Sequence, residues 1–167
     1  IGHDYLENVD QRYDFYHLKE DKSPFDIELL NTITKGGVSR KTLNIVLAGT
    51  GVGKSLAMCH FAADNLRQGK NVLYITLEMA EEKIAERIDA NLLDVQIDQL
   101  ENLPRDTFKT KVSKVREKTQ GKLIIKEYPT ATAHVGHFRA LLDELRMKKD
   151  FSPDSIYIDY LNICASS

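Results

Sequence analysis

The sequence lacks several features that would assign it to a specialised class of protein. No run approaches the length of about 18 apolar residues that a membrane span requires, and no secretory signal pattern opens the chain. Neither sign of charge dominates, because 25 acidic residues offset 23 basic ones and leave a net charge of −2. A domain that holds nucleic acid by bulk charge would be basic, so this balance argues against one.

Cysteine is also scarce. Cys59 and Cys164 are the two cysteines, and they lie too far apart for a C-x-x-C motif or for metal-ligand spacing. We interpret them as buried, reduced thiols of a cytoplasmic protein. With 42% hydrophobic and 29% charged residues, the composition is that of an ordinary globular protein, which excludes a disordered chain, a fibre and a coiled-coil rod.

The length of 167 residues fits one domain. The chain begins with Ile1 and stops soon after a strand-like apolar run, so we expect it to be part of a longer protein. Apolar residues recur at helical spacing between residues 3 and 22, which predicts a helix with one narrow apolar stripe that must dock on another surface. Pro24 ends this helix, because the residue before proline disfavours the helical conformation.

Strand-like and helix-like segments alternate through the rest of the chain. The predicted strands are 43–48, 72–77, 123–125 and 155–159. The predicted helices are 55–67, 81–93, 104–119 and one that Thr132 caps, with Val135, Phe138, Leu142 and Leu145 on its apolar face. This alternation predicts an α/β fold with a mainly parallel sheet and helices on both faces.

The segment from Ala48 to Ser55 reads A-x-x-x-x-G-K-S, the Walker A pattern with alanine in the first place. Its three glycines let the backbone turn and aim N–H groups at phosphate oxygens, beside the positive end of the helix that follows. Lys54 is expected to reach the β- and γ-phosphates, and the Ser55 hydroxyl to ligate Mg²⁺. The predicted nucleotide-binding residues are Gly49, Thr50, Gly51, Val52, Gly53, Lys54 and Ser55.

The local charge agrees with a phosphate ligand. No acidic residue occurs from Leu29 through Ala63, whereas Lys35, Arg40, Lys41 and Lys54 do. The alternative is a chance match in a glycine-rich turn, but the pattern lies between a predicted strand and a predicted helix, as phosphate binding requires.

Two carboxylates follow predicted strands. Asp159 closes an apolar run in the Walker B arrangement, where an aspartate holds Mg²⁺ through its water shell. Glu78 ends the second strand, and ligands of such sheets lie beyond the carboxyl ends of the strands. We therefore predict Glu78 as the general base that polarises the attacking water, and Lys54 as its catalytic partner. Acidic residues also follow strands simply to face water, which is the alternative for both.

Other patterns are interpreted as structural. His134 and His137 have a spacing that can bind metal, but no third ligand lies nearby in sequence. The lysines of 109–122 alternate with polar residues, which is typical of a solvated helix face rather than a DNA-binding patch.

Taken together, the motifs resemble those of the RecA-type motor domain of DnaB-family replicative helicases, and most closely those of large tailed bacteriophages. The resemblance runs from Phe25 to the end of the chain. It rests on Phe25-Asp26-Ile27-Glu28-Leu29-Leu30, Gly36-Gly37, the phosphate loop, Thr76-Leu77-Glu78-Met79 and Ile158-Asp159-Tyr160-Leu161-Asn162, in that order. The family's catalytic glutamate corresponds to Glu78 and its Mg²⁺-binding aspartate to Asp159.

The resemblance implies a homo-hexameric ring that encircles single-stranded DNA and moves 5′ to 3′ by hydrolysing ATP with Mg²⁺. It also implies a primase, a helicase loader and a single-strand-binding protein as partners, no membrane, and a phage protein in the cytoplasm of an infected bacterium. Residues 1–24 would be a linker helix, and 25–167 the N-terminal portion of the RecA-like ATPase domain. The family's DNA-binding loops and arginine finger would lie beyond Ser167, so we expect this chain alone to be marginally stable and poorly active.

Three alternatives remain open from the sequence. Another RecA-type DNA-dependent ATPase, such as a recombinase or a helicase loader, shares the fold and both Walker motifs. A P-loop GTPase is disfavoured, because the chain contains no N-K-x-D motif. A non-catalytic module with a relict loop is disfavoured by the presence of Lys54, Ser55, Glu78 and Asp159 together.

Overall fold

The structure, a computed structural model, describes residues 4–161. The chain divides into two compact units, Ile1–Asn44 and Ile45–Ser167. Cys164, and Asn162 of the aspartate-tyrosine-leucine motif, lie outside the described residues. Cys59 is 1% exposed, which confirms the expected burial of that thiol.

The described residues of the first unit form two helices, α1 (Val9–His17) and α2 (Glu28–Thr34), and two short antiparallel strands, β1 (Lys22–Ser23) and β2 (Val38–Ser39). The expected helix over 3–22 is therefore too long. α1 ends at His17, and the strand β1 that follows it pairs with β2. Gly37 makes this pairing possible. A Cβ on Gly37 would lie 2.0 Å from the carbonyl oxygen of Ser23, so no larger residue fits there.

In the second unit, residues 45–161 form a three-stranded parallel sheet in which β3 (Val72–Thr76) lies between β4 (Leu123–Glu127) and β5 (Ser155–Asp159). Its α-helices are α3 (Lys54–Arg67), α4 (Glu81–Leu93), α5 (Arg105–Lys118) and α6 (Val135–Lys149). A 3₁₀-helix at Ile97–Asn102 joins α4 to α5. The α/β class and the parallel sheet are thus as the sequence predicts.

The central position of β3 follows from its composition. All five of its residues are buried, and alternate side chains enter two different apolar clusters. Val72 and Tyr74 pack with α3 and α4, where Ala62 and Ala63 are small enough for α3 to lie close to the sheet. Leu73 and Ile75 pack with α6 on the opposite face. Helices therefore cover both faces of the sheet.

The predicted strand over 43–48 is wrong for this structure. Residues 42–49 form no strand, and Leu43, Ile45 and Leu47 are 83%, 75% and 93% exposed. A continuous apolar run predicts burial only where a neighbouring strand and covering side chains are available. This segment has neither a backbone ladder nor cover among the described residues.

The N-cap of α6 also differs from the prediction. His134, rather than Thr132, is the cap, since its Nδ1 accepts a hydrogen bond from the backbone N–H of Gly136 at 3.0 Å. The backbone N–H of His134 in turn donates to Nδ1 of His137 at 3.2 Å. The two histidines thus have a structural role, and the described residues include no group of three potential His, Cys, Asp or Glu metal ligands. Val135 was expected on the buried apolar face of α6, but it is 55% exposed and does not belong to that face.

Candidate functional site

The phosphate-loop sequence forms an open turn that leads directly into α3. Residues 49–53 are exposed, and Lys54 and Ser55 are half-buried in the first turn of the helix. Gly51 and Gly53 have φ values of +75° and +98°, a backbone region that favours glycine. Gly49 does not lie in this region, so only two of the three glycines predicted to shape the turn are required by its backbone conformation.

Lys54 is held close to the end of β5. Its Nζ lies 3.9 Å from the centre of the Tyr160 ring, a cation–π contact. Tyr160 immediately follows Asp159, so the first residue of α3 is brought to the carboxyl end of the strand that carries the predicted metal ligand. No acidic residue lies in the first turn of α3, which leaves the helix dipole free to favour an anion.

Glu78 lies in the turn from β3 to α4, where its side chain is exposed. Thr76 shapes this turn, because its hydroxyl donates to the carbonyl oxygen of Met79 at 2.8 Å and accepts from the N–H of Met79 at 3.1 Å. The Thr130 hydroxyl donates to the carbonyl oxygen of Leu77 at 2.9 Å. The backbone on both sides of Glu78 is therefore fixed by hydrogen bonds.

Asp159 is 2% exposed and ends β5 directly opposite Thr76. The Tyr74 hydroxyl donates to Oδ2 of Asp159 at 3.0 Å. Oδ1 of Asp159 is buried and has no hydrogen-bond partner within the described structure. An unpaired buried carboxylate oxygen is costly, and it matches the preference of Mg²⁺ for oxygen ligands and ordered water. The residues present thus fit the cation that the Walker motifs imply.

A buried hydrogen-bonded chain continues from Asp159 towards α3. The Cys59 thiol lies 3.7 Å from the Tyr74 hydroxyl and donates to it. Burial raises the pKa of both the Cys59 thiol and the Tyr74 phenol, so both remain protonated at neutral pH. The Tyr74 hydroxyl therefore accepts from one neighbour and donates to the other.

The structure brings Lys54, Glu78 and Asp159 to one edge of the sheet, the edge at which the parallel strands β3 and β5 have their carboxyl ends. β3 and β5 are parallel, with Thr76 and Asp159 in register, and the N–H of Leu77 donates to the carbonyl oxygen of Asp159 at 2.9 Å. Glu78 follows Leu77 in the turn after β3, and Lys54 joins the group through its contact with Tyr160. Ser55 follows Lys54 in the first turn of α3.

Three contributors were missed by the sequence analysis: Tyr74, Thr76 and Tyr160. A signal for Tyr74 and Thr76 was present, because a hydroxyl within an otherwise apolar strand must find a partner when it is buried. The sequence alone did not indicate what that partner is. Tyr160 had no signal beyond its place next to Asp159.

A glycine-rich turn that leads into a helix, together with a parallel α/β sheet that has carboxylates at or just after the ends of its strands, is the arrangement typical of P-loop domains. The family model of the DnaB-like helicase C-terminal domain matches residues 24–167. The chain belongs to this family, and its fold is RecA-like.

Two relatives agree with this assignment. A DnaB-like replicative helicase of Enterobacteria phage T4 is 50% identical over 169 aligned residues, which cover 99% of this chain and 36% of that protein. A probable plasmid replicative DNA helicase of Chlamydia psittaci is 30% identical over 134 residues, covering 78% of this chain and 28% of that protein. The chain thus spans about a third of the length of these relatives. No helix among the described residues is long and apolar enough to cross a membrane.

Proposed function

We propose that this chain is part of the motor of a replicative DNA helicase, in which ATP hydrolysis with Mg²⁺ drives 5′-to-3′ movement on single-stranded DNA and separation of the duplex. The observation that carries the proposal is the grouping of Lys54, Glu78 and Asp159 at one sheet edge, in a member of the DnaB-like family. The names of both relatives support a replicative helicase role.

Each group has a distinct task in this proposal. The backbone N–H groups of residues 49–55 hold the phosphates, and the Lys54 ammonium offsets the charge on the transferred group. Mg²⁺, when bound, neutralises charge on the β- and γ-phosphates. Ser55 and Asp159 supply its protein oxygens. Glu78 orients the attacking water and accepts its proton, for which its exposed position on a fixed turn is suitable.

The remaining assignments rest on the family. We propose residues 1–24, which include α1, as a linker segment and 25–167 as the ATPase portion, which the start of the family match at residue 24 supports. We further propose a homo-hexamer that works with a primase, a loader and a single-strand-binding protein. None of the residues of α1 is buried, and its exposed apolar side chains include Val9, Tyr13 and Tyr16. These side chains support a protein partner for the helix.

Strand separation in the full-length protein tests the proposal, with forked DNA, ATP and Mg²⁺. Glu78→Gln should retain nucleotide binding while hydrolysis falls by about 10²–10⁴-fold, because the base is lost. Glu82→Gln is the matched control, since Glu82 is exposed on the first turn of α4 and should leave turnover unchanged. Unchanged turnover in Glu78→Gln would remove Glu78 from the mechanism. DNA-stimulated hydrolysis without unwinding would favour a recombinase or a loader instead.

A further inference from the structure

Tyr74 occupies an unusual position for a tyrosine. It is fully buried in the central strand β3, with 0% of its surface exposed. The hydroxyl reaches across to the neighbouring strand and donates its single hydrogen to Oδ2 of Asp159 at 3.0 Å. The Tyr74 hydroxyl oxygen also accepts a hydrogen bond from the Cys59 thiol. The hydroxyl hydrogen therefore cannot rotate to a different acceptor without losing its bond to the carboxylate.

This bond divides the two oxygens of Asp159 into different roles. Oδ2 is fixed by Tyr74, whereas Oδ1 is buried without a hydrogen-bond partner among the described residues. A carboxylate with both oxygens unpaired could rotate about its terminal torsion, which is broad and permissive. The Tyr74 hydroxyl restricts that rotation and keeps one acceptor free.

A neighbouring, half-buried tyrosine shows what a structural hydroxyl looks like on the adjacent strand. Tyr157 lies on β5 with its ring stacked on that of Tyr74 at a centroid distance of 5.9 Å and an interplanar angle of 11°. Its hydroxyl accepts from Nδ2 of Asn65 at 2.6 Å, and so ties β5 to α3. Its described hydrogen bond does not involve Asp159.

We propose that Tyr74 is a positioning residue for the divalent cation: its hydroxyl holds one oxygen of Asp159 so that the other is presented to the cation or to its water shell. This inference rests on the proposed function, in which Asp159 serves Mg²⁺. Groups that orient a metal ligand act through that ligand, and their loss typically weakens metal binding by about 10–100-fold.

The test measures how Mg²⁺ changes nucleotide affinity, without using hydrolysis. A fluorescent ADP analogue is titrated onto the full-length protein in EDTA and at a series of Mg²⁺ concentrations. In Tyr74→Phe the ring packing is kept and the hydroxyl is lost. We expect unchanged affinity in EDTA and a half-saturating Mg²⁺ concentration raised about 10-fold.

Tyr157→Phe is the matched control, because it removes a hydrogen-bonded, half-buried hydroxyl from the stacked ring on the adjacent strand. It should leave the Mg²⁺ dependence unchanged even if it lowers the melting temperature. Equal shifts in the Mg²⁺ dependence of the two variants would overturn the proposal, since the effect would then reflect a loosened sheet. A Tyr74→Phe variant with wild-type Mg²⁺ dependence would also overturn it.

A double-mutant cycle tests whether Tyr74 acts through Asp159. In the Asp159→Asn background the nucleotide phosphates and Ser55 would still supply oxygen ligands for Mg²⁺, so its effect should remain measurable. There, Tyr74→Phe should add nothing further, whereas additive losses would overturn the proposal. If the wild-type protein binds the analogue equally well with and without Mg²⁺, the proposed function fails as well. Mg²⁺-dependent binding in the wild type, with no effect of Tyr74→Phe, overturns only the positioning role.

Discussion

At the scale of single residues, the glycines of the phosphate loop differ in what they contribute. Gly53 has a φ of +98° and Gly51 a φ of +75°, whereas Gly49 lies outside this left-handed region. A Cβ on Gly53 would meet no atom within 4 Å. Glycine is therefore needed at this position for its backbone conformation and not for lack of space. A Cβ on Gly49 would make only an ordinary contact, 3.7 Å from Cγ2 of Val52.

Gly53→Ala should therefore weaken nucleotide binding about 10-fold, because left-handed backbone costs a residue with a Cβ about 1–2 kcal/mol. Gly49→Ala is the matched control and should change the affinity little. Titration with a fluorescent nucleotide measures both variants. Equal losses in the two would mean that close approach of the phosphates, and not φ, is the reason for glycine in this loop.

Cys59 gives a prediction of pH dependence. Burial raises the pKa of its thiol, so at pH 8 less of it is thiolate than in a free cysteine. In the folded state the thiol stays protonated up to a higher pH than in the unfolded state. The thiol's contribution to stability is therefore fully present below the ordinary pKa of about 8.5, and it is lost as the pH rises above that value.

Iodoacetamide labelling followed by mass spectrometry checks the burial and the raised pKa of this thiol. Between pH 7 and 9, alkylation of Cys59 should be at least about 100-fold slower in the folded protein than in urea, because both access and thiolate are lacking. Rapid labelling of the folded protein would contradict the burial of this residue in α3.

At the scale of elements, the turn between β3 and α4 depends on Thr76. Its hydroxyl makes both hydrogen bonds to Met79, and Glu78 lies between the two residues. Thr76→Val keeps the shape of the side chain and removes both bonds. We expect hydrolysis to fall about 10–100-fold, because displacing a catalytic group by about 1 Å has effects of this size, while nucleotide affinity is kept.

Thr110→Val serves as the control for Thr76→Val. The Thr110 hydroxyl donates to the carbonyl oxygen of Asp106 within α5, on an exposed helix face. This variant should hydrolyse ATP at the wild-type rate. Equal turnover in both variants would show that the turn keeps Glu78 in place without the Thr76 hydroxyl.

The beginning of α6 depends on His134 in a similar way. His134→Ala removes the side-chain acceptor of the N-cap and should lower the free energy of unfolding by about 1 kcal/mol. His134→Asn should retain most of the stability, because asparagine is a strong N-cap. Urea unfolding followed by circular dichroism measures both. If the alanine and asparagine variants unfold together at the wild-type midpoint, the cap has no stabilising role.

The elements also show how far sequence reasoning reaches. α4 and β5 have the predicted bounds, Glu81–Leu93 and Ser155–Asp159, because local periodicity and apolar runs specify them. The N-cap at His134 was missed, since histidine is an uncommon cap and its role requires the second ring at His137. The site residues fall at one sheet edge because parallel strands share their carboxyl ends, which the sequence indicated. The contact from Tyr74 to Asp159 depends on the order of the strands in the sheet, which the sequence did not indicate.

At the scale of the whole molecule, apolar surface is distributed unevenly. The three-stranded sheet is covered on both faces, yet β5 is an edge strand within the described residues, with Ile156 47% exposed. Leu43, Ile45 and Leu47 form a further exposed apolar run before the phosphate loop. Open strand edges and exposed apolar runs promote association between chains. We therefore expect this chain to aggregate as its concentration rises.

Leu47→Lys distinguishes an exposed run from a buried strand. Leu47 is 93% exposed in the structure, so the substitution should change the free energy of unfolding by no more than about 0.5 kcal/mol and should reduce aggregation measured by light scattering. Leu73→Lys is the contrasting variant, because Leu73 is fully buried and a charge there should prevent folding. A large loss of stability in Leu47→Lys would show that 43–48 is buried in solution. The apolar run would then form the strand that its sequence predicts, and the open edge of β5 would be the place for it.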